Sequence, residues 1–185
     1  MAGPSKKLGK MLLLQASTNL PANLSRDIGR IIIHWAHFEF LVQRVIWLLA
    51  GVDEKVGRVA VKDPRITDRL DMIVTLSELQ GIKIDAALIS KMKTAAEAML
   101  SYRDLLAHGV WGKDDDGWKV QKTKGNYPKD IKTVSRSRRV APEGVLATSP
   151  DLQEIVRNIE RLCTAIQLMR KDLKVKLEAL SQKHL

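Results

Sequence analysis

The sequence predicts an all-α protein, an antiparallel four-helix bundle with a small β-ribbon inserted between the third and fourth long helices. Four segments repeat apolar residues at three- and four-residue steps, which is the spacing of one buried helix face. Between the third and fourth segments the pattern changes to strand-like flanks around an Asp-Gly turn. The length of 185 residues and the apolar fraction of 45% are typical of one globular domain.

The chain divides into two parts of unequal length. Residues 1–20 contain Gly3, Pro4 and a basic cluster, which predicts a loosely ordered N-terminal segment. Residues 21–185 are predicted to form a single domain, with the basic β-ribbon at about residues 110–140.

The first long helix is predicted from about Leu24 to Ala50. Asn23 or Ser25 is expected to cap its beginning, and Gly51 is expected to end it. Its predicted buried face consists of Ile31, Trp35, Phe38, Val42, Val45 and Leu49.

The second helix is predicted to begin at Asp63-Pro64, because an acid at the N-cap and a proline at the first helical position favour a helix start. Apolar residues carry this helix to Gly81. Asp85 is expected to cap the third helix, which ends after His108. The predicted apolar seams are Ile66, Leu70, Ile73, Leu76 and Leu79 in the second helix, and Leu88, Met92, Ala95, Met99 and Leu106 in the third.

The ribbon and the last helix follow. The stretch VWGKDDDGWKV, with Asp116-Gly117 at its turn, predicts a β-hairpin, and IKTVSRSRRVA is expected to add a third short strand. Ser149-Pro150 opens the last helix. Its predicted apolar stripe is Leu152, Ile155, Ile159, Leu162, Ile166, Met169 and Leu173.

The net charge of +10 indicates a polyanionic partner, and the cations are concentrated in the ribbon. Between Lys119 and Arg139 only Asp130 opposes them, which predicts RNA binding; the alternative is a solvated ribbon without a partner. Trp111 and Trp118 either stack on bases or pair across the hairpin and cover the bundle. The predicted RNA-binding residues are Lys122, Lys124, Arg136, Arg138 and Arg139.

Other features restrict the compartment and the chemistry. Cys163 is the only cysteine, so an internal disulfide is excluded, which fits a reducing compartment. Charged and polar residues interrupt the most apolar stretch throughout, so we expect a cytoplasmic protein with no membrane span. His34 and His37 have the spacing for a shared metal but lack a third ligand, and we expect no metal and no cofactor.

The stretch YRDLLAHGVW places a cation, an acid and an imidazole in the last turns of the third helix. Asp104 and His108 are four residues apart and share a helix face, so the carboxylate can orient the imidazole. The partial negative charge of the helix C-terminus favours the imidazolium. Arg103 is predicted to be buried, and a buried guanidinium needs a carboxylate. Glu39, one turn after Trp35 on the most apolar helix, is the expected partner.

The same stretch resembles the motif of the HEPN family, in which an arginine is followed by a polar residue and, after a short gap, by a histidine. Arg103, Asp104 and His108 match all three positions. The resemblance implies an antiparallel helical bundle that is usually a homodimer and often a metal-independent endoribonuclease, acting as a toxin or in antiviral defence. Some family members carry a tyrosine two residues after the histidine, which an antitoxin protein adenylylates. Val110 stands there, so this regulation does not carry over directly.

The chemistry of the motif is that of RNA cleavage by the ribose 2′-OH. Histidine titrates near neutrality and can act as a base or an acid, and arginine binds phosphate oxygens. Five residues along one helix turn the two side chains about 140° apart, so we expect a two-fold dimer to combine two motifs. Two alternatives remain: a non-catalytic dimeric module that binds RNA or a protein, and a purely structural dimer in which Arg103 and His108 serve packing and capping.

Overall fold

The computed structural model of the chain describes residues 15–16, 19–60, 64–114, 117–121 and 145–183. This part of the chain is predominantly helical with a small antiparallel sheet, as the sequence predicts. The helices are α1 (Ala22–Ala50), α2 (Glu54–Ala60), α3 (Ile66–Leu79), α4 (Ala86–His108) and α5 (Ser149–Lys183), and the strands are β1 (Gln15–Ala16), β2 (Val110–Asp114), β3 (Gly117–Gln121) and β4 (Val145–Leu146).

Helices α1 and α5 form the largest part of the core. Every residue of the predicted α1 face and of the predicted α5 stripe is buried, so both predictions are confirmed. The predicted cap of α1 is wrong, because the helix begins after Pro21 without a side-chain cap and Asn23 and Ser25 lie inside it. Helix α1 is also long and apolar enough to span a membrane by length and composition, but its core face packs inside the protein.

Helix α4 begins as predicted, because the Asp85 carboxylate accepts hydrogen bonds from the backbone N–H groups of the first turn. Its buried seam is displaced by one residue in the first half of the helix. Ile89 and Ala96 are buried where the sequence analysis predicted Leu88 and Ala95, which are exposed. The rest of the predicted seam, Met92, Met99 and Leu106, is buried.

The predicted antiparallel arrangement requires successive long helices to alternate in direction, and the observed helices do not. The hydroxyl of Ser149 donates to Asp27 near the beginning of α1, and the thiol of Cys163 lies 3.8 Å from the carbonyl oxygen of His34 farther along it. The contact that lies farther along α1 also lies farther along α5, so α1 and α5 run parallel. Helix α4 runs opposite to α5, because Lys176 donates to the carbonyl of Lys83 just before α4 begins.

Helix α2 was not predicted, and it covers one tryptophan of α1. Gly57 packs so closely on the indole of Trp47 that an added Cβ would overlap the indole ring at Nε1. Glycine is therefore required here by the close approach of the two helices, since any side chain would displace them. The exposed side of α2 presents Val56 and Val59, of which Val59 is 88% exposed.

The sheet has the strand order β1-β2-β3-β4, with antiparallel neighbours. The predicted hairpin is confirmed: β2 pairs with β3, and Gly117 after the turn has a φ of 129°. Strand β1 lies within the predicted N-terminal segment and pairs with β2, and the short β4 joins β3 at Val145–Leu146. The predicted third strand at residues 131–141 lies outside the described residues.

Candidate functional site

The candidate motif lies where α4 ends and the sheet begins. His108 is the last residue of α4, and its side chain is exposed. The amide of Gly109 still donates to the carbonyl of Leu105 at 2.8 Å, and Gly109 itself has an extended backbone with φ −78°. The helix therefore ends because the chain enters β2, and the left-handed conformation that favours glycine is not used. The result is an imidazole presented to solvent from a well-defined helix end.

A tryptophan of β2 ties the hairpin to this helix end. The indole Nε1 of Trp111 donates to the carbonyl oxygen of Leu106 at 3.1 Å. This bond pairs one of the carbonyls that the last turn of a helix leaves without an intrahelical partner. The position of the hairpin is thus fixed relative to His108, two residues after the bonded carbonyl.

The two tryptophans of the hairpin face the bundle. Trp111 lies opposite Val120 and Trp118 opposite Lys113, which puts both indoles on the same face of the sheet. Both are half-buried and pack against the core, beside the fully buried Val120. The arrangement favours the interpretation in which these indoles cover the bundle over the one in which they stack on bases.

Arg103 is half-buried and pairs with its neighbour in the sequence. Its Nη1 lies 2.8 Å from Oδ1 of Asp104, and the two side chains are 31% and 36% exposed. The Nε of Arg103 is buried and has no hydrogen-bond partner among the described residues. The guanidinium is therefore held at one nitrogen, with further N–H donors not engaged by the carboxylate.

The predicted pairing of Arg103 with Glu39 is wrong, since Asp104 is the acid that pairs with Arg103. The reason is the register of the helices. Helix α4 runs opposite to α1 and α5, so its last turns lie near the beginning of α1, whereas Glu39 lies beyond the middle of that helix. Glu39 is half-buried and forms no ion pair with any described residue.

Trp35, the other predicted supporting residue, belongs to the core. It is fully buried, and its ring centroid lies 5.5 Å from that of Phe38. Its indole Nε1 has no hydrogen-bond partner within the described part of the chain. Trp35 therefore contributes to the packing of the core.

A buried carboxylate that the sequence analysis missed lies at the same end of the molecule. Asp27 is fully buried, accepts a hydrogen bond from Ser149, the first residue of α5, and lies 3.3 Å from Nε of Arg26. Burial by itself raises the pKa of Asp27, but the hydrogen bonds from Ser149 and Arg26 and the charge of Arg26 together hold this pKa below its usual value of 3.8. The signal in the sequence was an acid on the α1 core face, between Leu24 and Ile31.

The predicted RNA-binding cations Lys122, Lys124, Arg136, Arg138 and Arg139 lie outside the described residues. Within the described ranges no group of three His, Cys, Asp or Glu side chains lies close enough to hold a metal ion. Taken together, one chain presents an exposed imidazole, an acid one turn before it, and a half-buried arginine. No known protein family, no characterised protein and no solved structure matches the chain.

Proposed function

We propose that the protein is a metal-independent endoribonuclease of the HEPN type that cuts RNA through attack of the ribose 2′-OH. The observation that carries the proposal is the exposed imidazole of His108, fixed at the end of α4 one turn after Asp104 and preceded by Arg103. In this proposal His108 transfers the proton, Arg103 binds the phosphate and Asp104 orients both.

The proposed working unit is a homodimer. Within one helix Arg103 and His108 are five residues apart and project in directions about 140° apart, so one chain does not easily offer both to the same phosphate. Two copies related by a two-fold axis supply two imidazoles, one as base for the 2′-OH and one as acid for the leaving 5′-oxygen. A cytoplasmic toxin or defence protein is the biological setting that the family resemblance supports. An antitoxin partner would have to act without the tyrosine whose place Val110 takes.

A second function has an observation in its favour. The guanidinium of Arg103 is already paired with Asp104 of the same chain. This pairing is expected if the two side chains serve packing and do not bind phosphate. The same dimer could then bind RNA or a protein without cutting it. Cleavage of RNA by the purified protein decides between the two functions.

The first prediction concerns the chemistry of the cut. The purified protein is expected to cleave single-stranded RNA in the presence of EDTA, because the proposed groups need no metal. The products should carry a 2′,3′-cyclic phosphate, which mass spectrometry of the fragments detects. A substrate with 2′-deoxyribose at the cut site should stay intact, because its nucleophile is missing. Cleavage that stops with EDTA would contradict the mechanism, and binding without cleavage of a broad set of RNAs would favour the binding module.

The second prediction concerns the ribbon. Changing Lys122, Lys124, Arg136, Arg138 and Arg139 to Gln is expected to weaken RNA binding regardless of sequence and to flatten its salt dependence. The slope of the logarithm of the RNA-binding constant against the logarithm of the salt concentration should fall by roughly 0.7 for each phosphate of a single strand that the variant no longer neutralises. Fluorescence anisotropy titrations between low and high salt measure this slope. The matched control changes Lys171 and Lys174, exposed on α5, to Gln. An unchanged slope in the ribbon variant would mean that the ribbon does not touch RNA.

A further inference from the structure

Two pairs of arginines lie along the outer side of the seam between the parallel helices α1 and α5. We call them the arginine surface, which consists of Arg26 and Arg30 of α1 and Arg157 and Arg161 of α5. Within each helix the two arginines are four residues apart, so they share a helix face at about 6 Å along the axis. The side chains of Arg26, Arg30 and Arg157 are 63%, 48% and 52% exposed, and Arg161 is exposed as well. The two helices therefore present four guanidinium groups to solvent.

A carboxylate of α5 joins the two pairs. Oε1 of Glu160 lies 3.7 Å from Nη2 of Arg30 across the seam, and Glu160 lines a depression on α5 together with Arg157 and Arg161. The imidazole of His34 lies 3.5 Å from the same carboxylate but is only 31% exposed, so it belongs to the seam and not to the surface. The cations of the two helices thus form one surface at the same level of the protein.

The arrangement concentrates positive charge at a cost to stability. Like charges four residues apart destabilise a helix, and this surface contains that spacing twice. The positive potential extends to Glu154, whose pKa is lowered mainly by the hydrogen bond from Arg157 and further by the charges of Arg157 and Arg161. A cluster of cations of this kind attracts a partner that carries negative charge.

The guanidinium groups are held in place but not saturated. Three of them are anchored at one nitrogen by an acceptor of their own helix: Arg26 by Asp27 at 3.3 Å, Arg157 by Glu154 at 2.8 Å and Arg161 by Asn158 at 2.9 Å. A guanidinium carries five N–H donors in a planar fork that fits phosphate oxygens. Within the described part of the chain the remaining donors of these three arginines have no acceptor, so they are available to an oxyanion.

The spacing of the charges identifies the kind of anion. On each helix the arginines follow one another at a distance close to that of successive phosphates in an extended nucleic acid strand. Among the described residues that line the depression on α5 none is aromatic, so bases have no ring to stack on and the contact is to the backbone. We therefore propose that the arginine surface binds the sugar–phosphate backbone of single-stranded RNA without reading its sequence.

A lipid surface fits these residues less well. An interfacial membrane helix needs a continuous apolar face below its cations. Here the exposed apolar residues beside the arginines are Ile33 on α1 and Leu168 on α5, one on each helix, and each borders the surface. An anionic membrane and an acidic protein are therefore the alternatives that the experiment must exclude.

This inference rests on the proposed function only in taking RNA as the polyanion. Helices α1 and α5 begin at the same end of the protein, because Ser149 donates to Asp27, and α4 ends there too. The arginine surface lies on α1 and α5, so it leaves the end of α4 open to the second copy that the proposed site requires. RNA bound at His108 would extend beyond the cut onto the arginine surface.

The first test measures RNA binding by the full chain with His108→Ala, which keeps the RNA intact. Adding Arg30→Gln with Arg157→Gln should weaken binding of a labelled single-stranded RNA severalfold. It should also lower the slope of the logarithm of the binding constant against the logarithm of the salt concentration by roughly 1.4, or 0.7 for each lost phosphate contact. The matched control is Lys171→Gln with Lys174→Gln, which removes the same charge from α5 and should leave the slope unchanged. Circular dichroism verifies the fold of each variant.

A second variant should change the affinity in the opposite direction. Glu160→Gln removes the acid that competes with phosphate for Arg30, so it should tighten RNA binding roughly two- to fivefold, the usual contribution of an exposed ion pair. A variant that was merely misfolded would not bind more tightly. Unchanged or weaker binding by Glu160→Gln would contradict the inference.

The remaining outcomes separate this inference from its rivals and from the ribonuclease proposal. An unchanged salt slope in the Arg30 and Arg157 variant would overturn the surface. Loss of binding to poly-glutamate or to phosphatidylserine vesicles, with RNA binding unchanged, would assign the arginines to an acidic protein or to a membrane and also overturn it. None of these measurements uses cleavage. RNA that binds through the arginines but is never cut by the wild type therefore contradicts only the ribonuclease proposal, and cleavage with an unchanged slope contradicts only the surface.

Discussion

His108→Ala is expected to reduce RNA cleavage by about 10²–10⁴-fold, which is the contribution of a positioned acid–base group. The fold should be unaffected, because the side chain is exposed at the end of α4 and the helix end is held by Gly109 and Trp111 instead. The rate of cleavage under single-turnover conditions measures the reduction, and circular dichroism and sedimentation show that structure and assembly are retained.

Two further variants make this result specific. Asp104→Asn should lower the rate less than His108→Ala, because it removes an orienting charge and leaves the imidazole. His34→Ala is the matched control: His34 lies 3.5 Å from Glu160 between α1 and α5, away from the proposed chemistry, and its removal should leave the rate unchanged. Equal rates for wild type and His108→Ala would exclude His108 as the proton-transfer group and return Arg103 and His108 to packing and capping.

Asp27→Ala is expected to lower the free energy of unfolding by about 1.5–3 kcal/mol, the usual contribution of a hydrogen bond to a charged group. Asp27 is fully buried and joins α1 to the first turn of α5 through the hydroxyl of Ser149, which in turn accepts from Gln153. Its removal leaves the half-buried hydroxyl of Ser149 without its acceptor. Urea denaturation at pH 7 measures the change. Asp172→Asn, on an exposed carboxylate of α5, should stay within about 0.5 kcal/mol of wild type.

The contribution of Asp27 should also depend on pH in one direction. The pKa of this carboxyl is lower in the folded protein than its usual value of 3.8, so the folded state binds the proton less readily than the unfolded chain. The stabilisation is therefore complete above about pH 4 and is lost as the pH falls through the lowered pKa. The difference in unfolding free energy between wild type and Asp27→Asn should be constant near neutrality and shrink below pH 4. A difference that grows toward acid pH would contradict this.

The parts of the fold that could be predicted from the sequence are those in which apolar residues occupy a whole helix face. The α1 face that holds Ile31, Trp35 and Phe38 is unambiguous, and all three are fully buried. In α4 apolar residues occur side by side, and the sequence does not show that Ile89 and not Leu88 turns inward, because the packing partner decides. Helix α2 has only seven residues, too few for a periodic pattern.

The candidate site, too, could be predicted from the sequence only in part. The position of His108 at a helix end follows from local signals, a helical pattern before it and a change of period after it. The partner of Arg103 does not, because pairing with Glu39 or with Asp104 depends on how far α4 slides along α1, and this register is set by the whole core. The hydrogen bond from Trp111 to Leu106 likewise depends on where the hairpin folds back.

The parallel pairing of α1 with α5 has a consequence for biosynthesis. Asp27 and Ser149 are 122 residues apart in the chain, and Cys163 and His34 are 129 apart. At synthesis rates of about 5–20 residues per second, α1 waits on the order of ten seconds on the ribosome for its largest packing partner. During that time α3 and α4 can cover only part of its apolar surface. The nascent chain should therefore need protection by ribosome-associated chaperones, and slow translation between α4 and α5 should increase its aggregation.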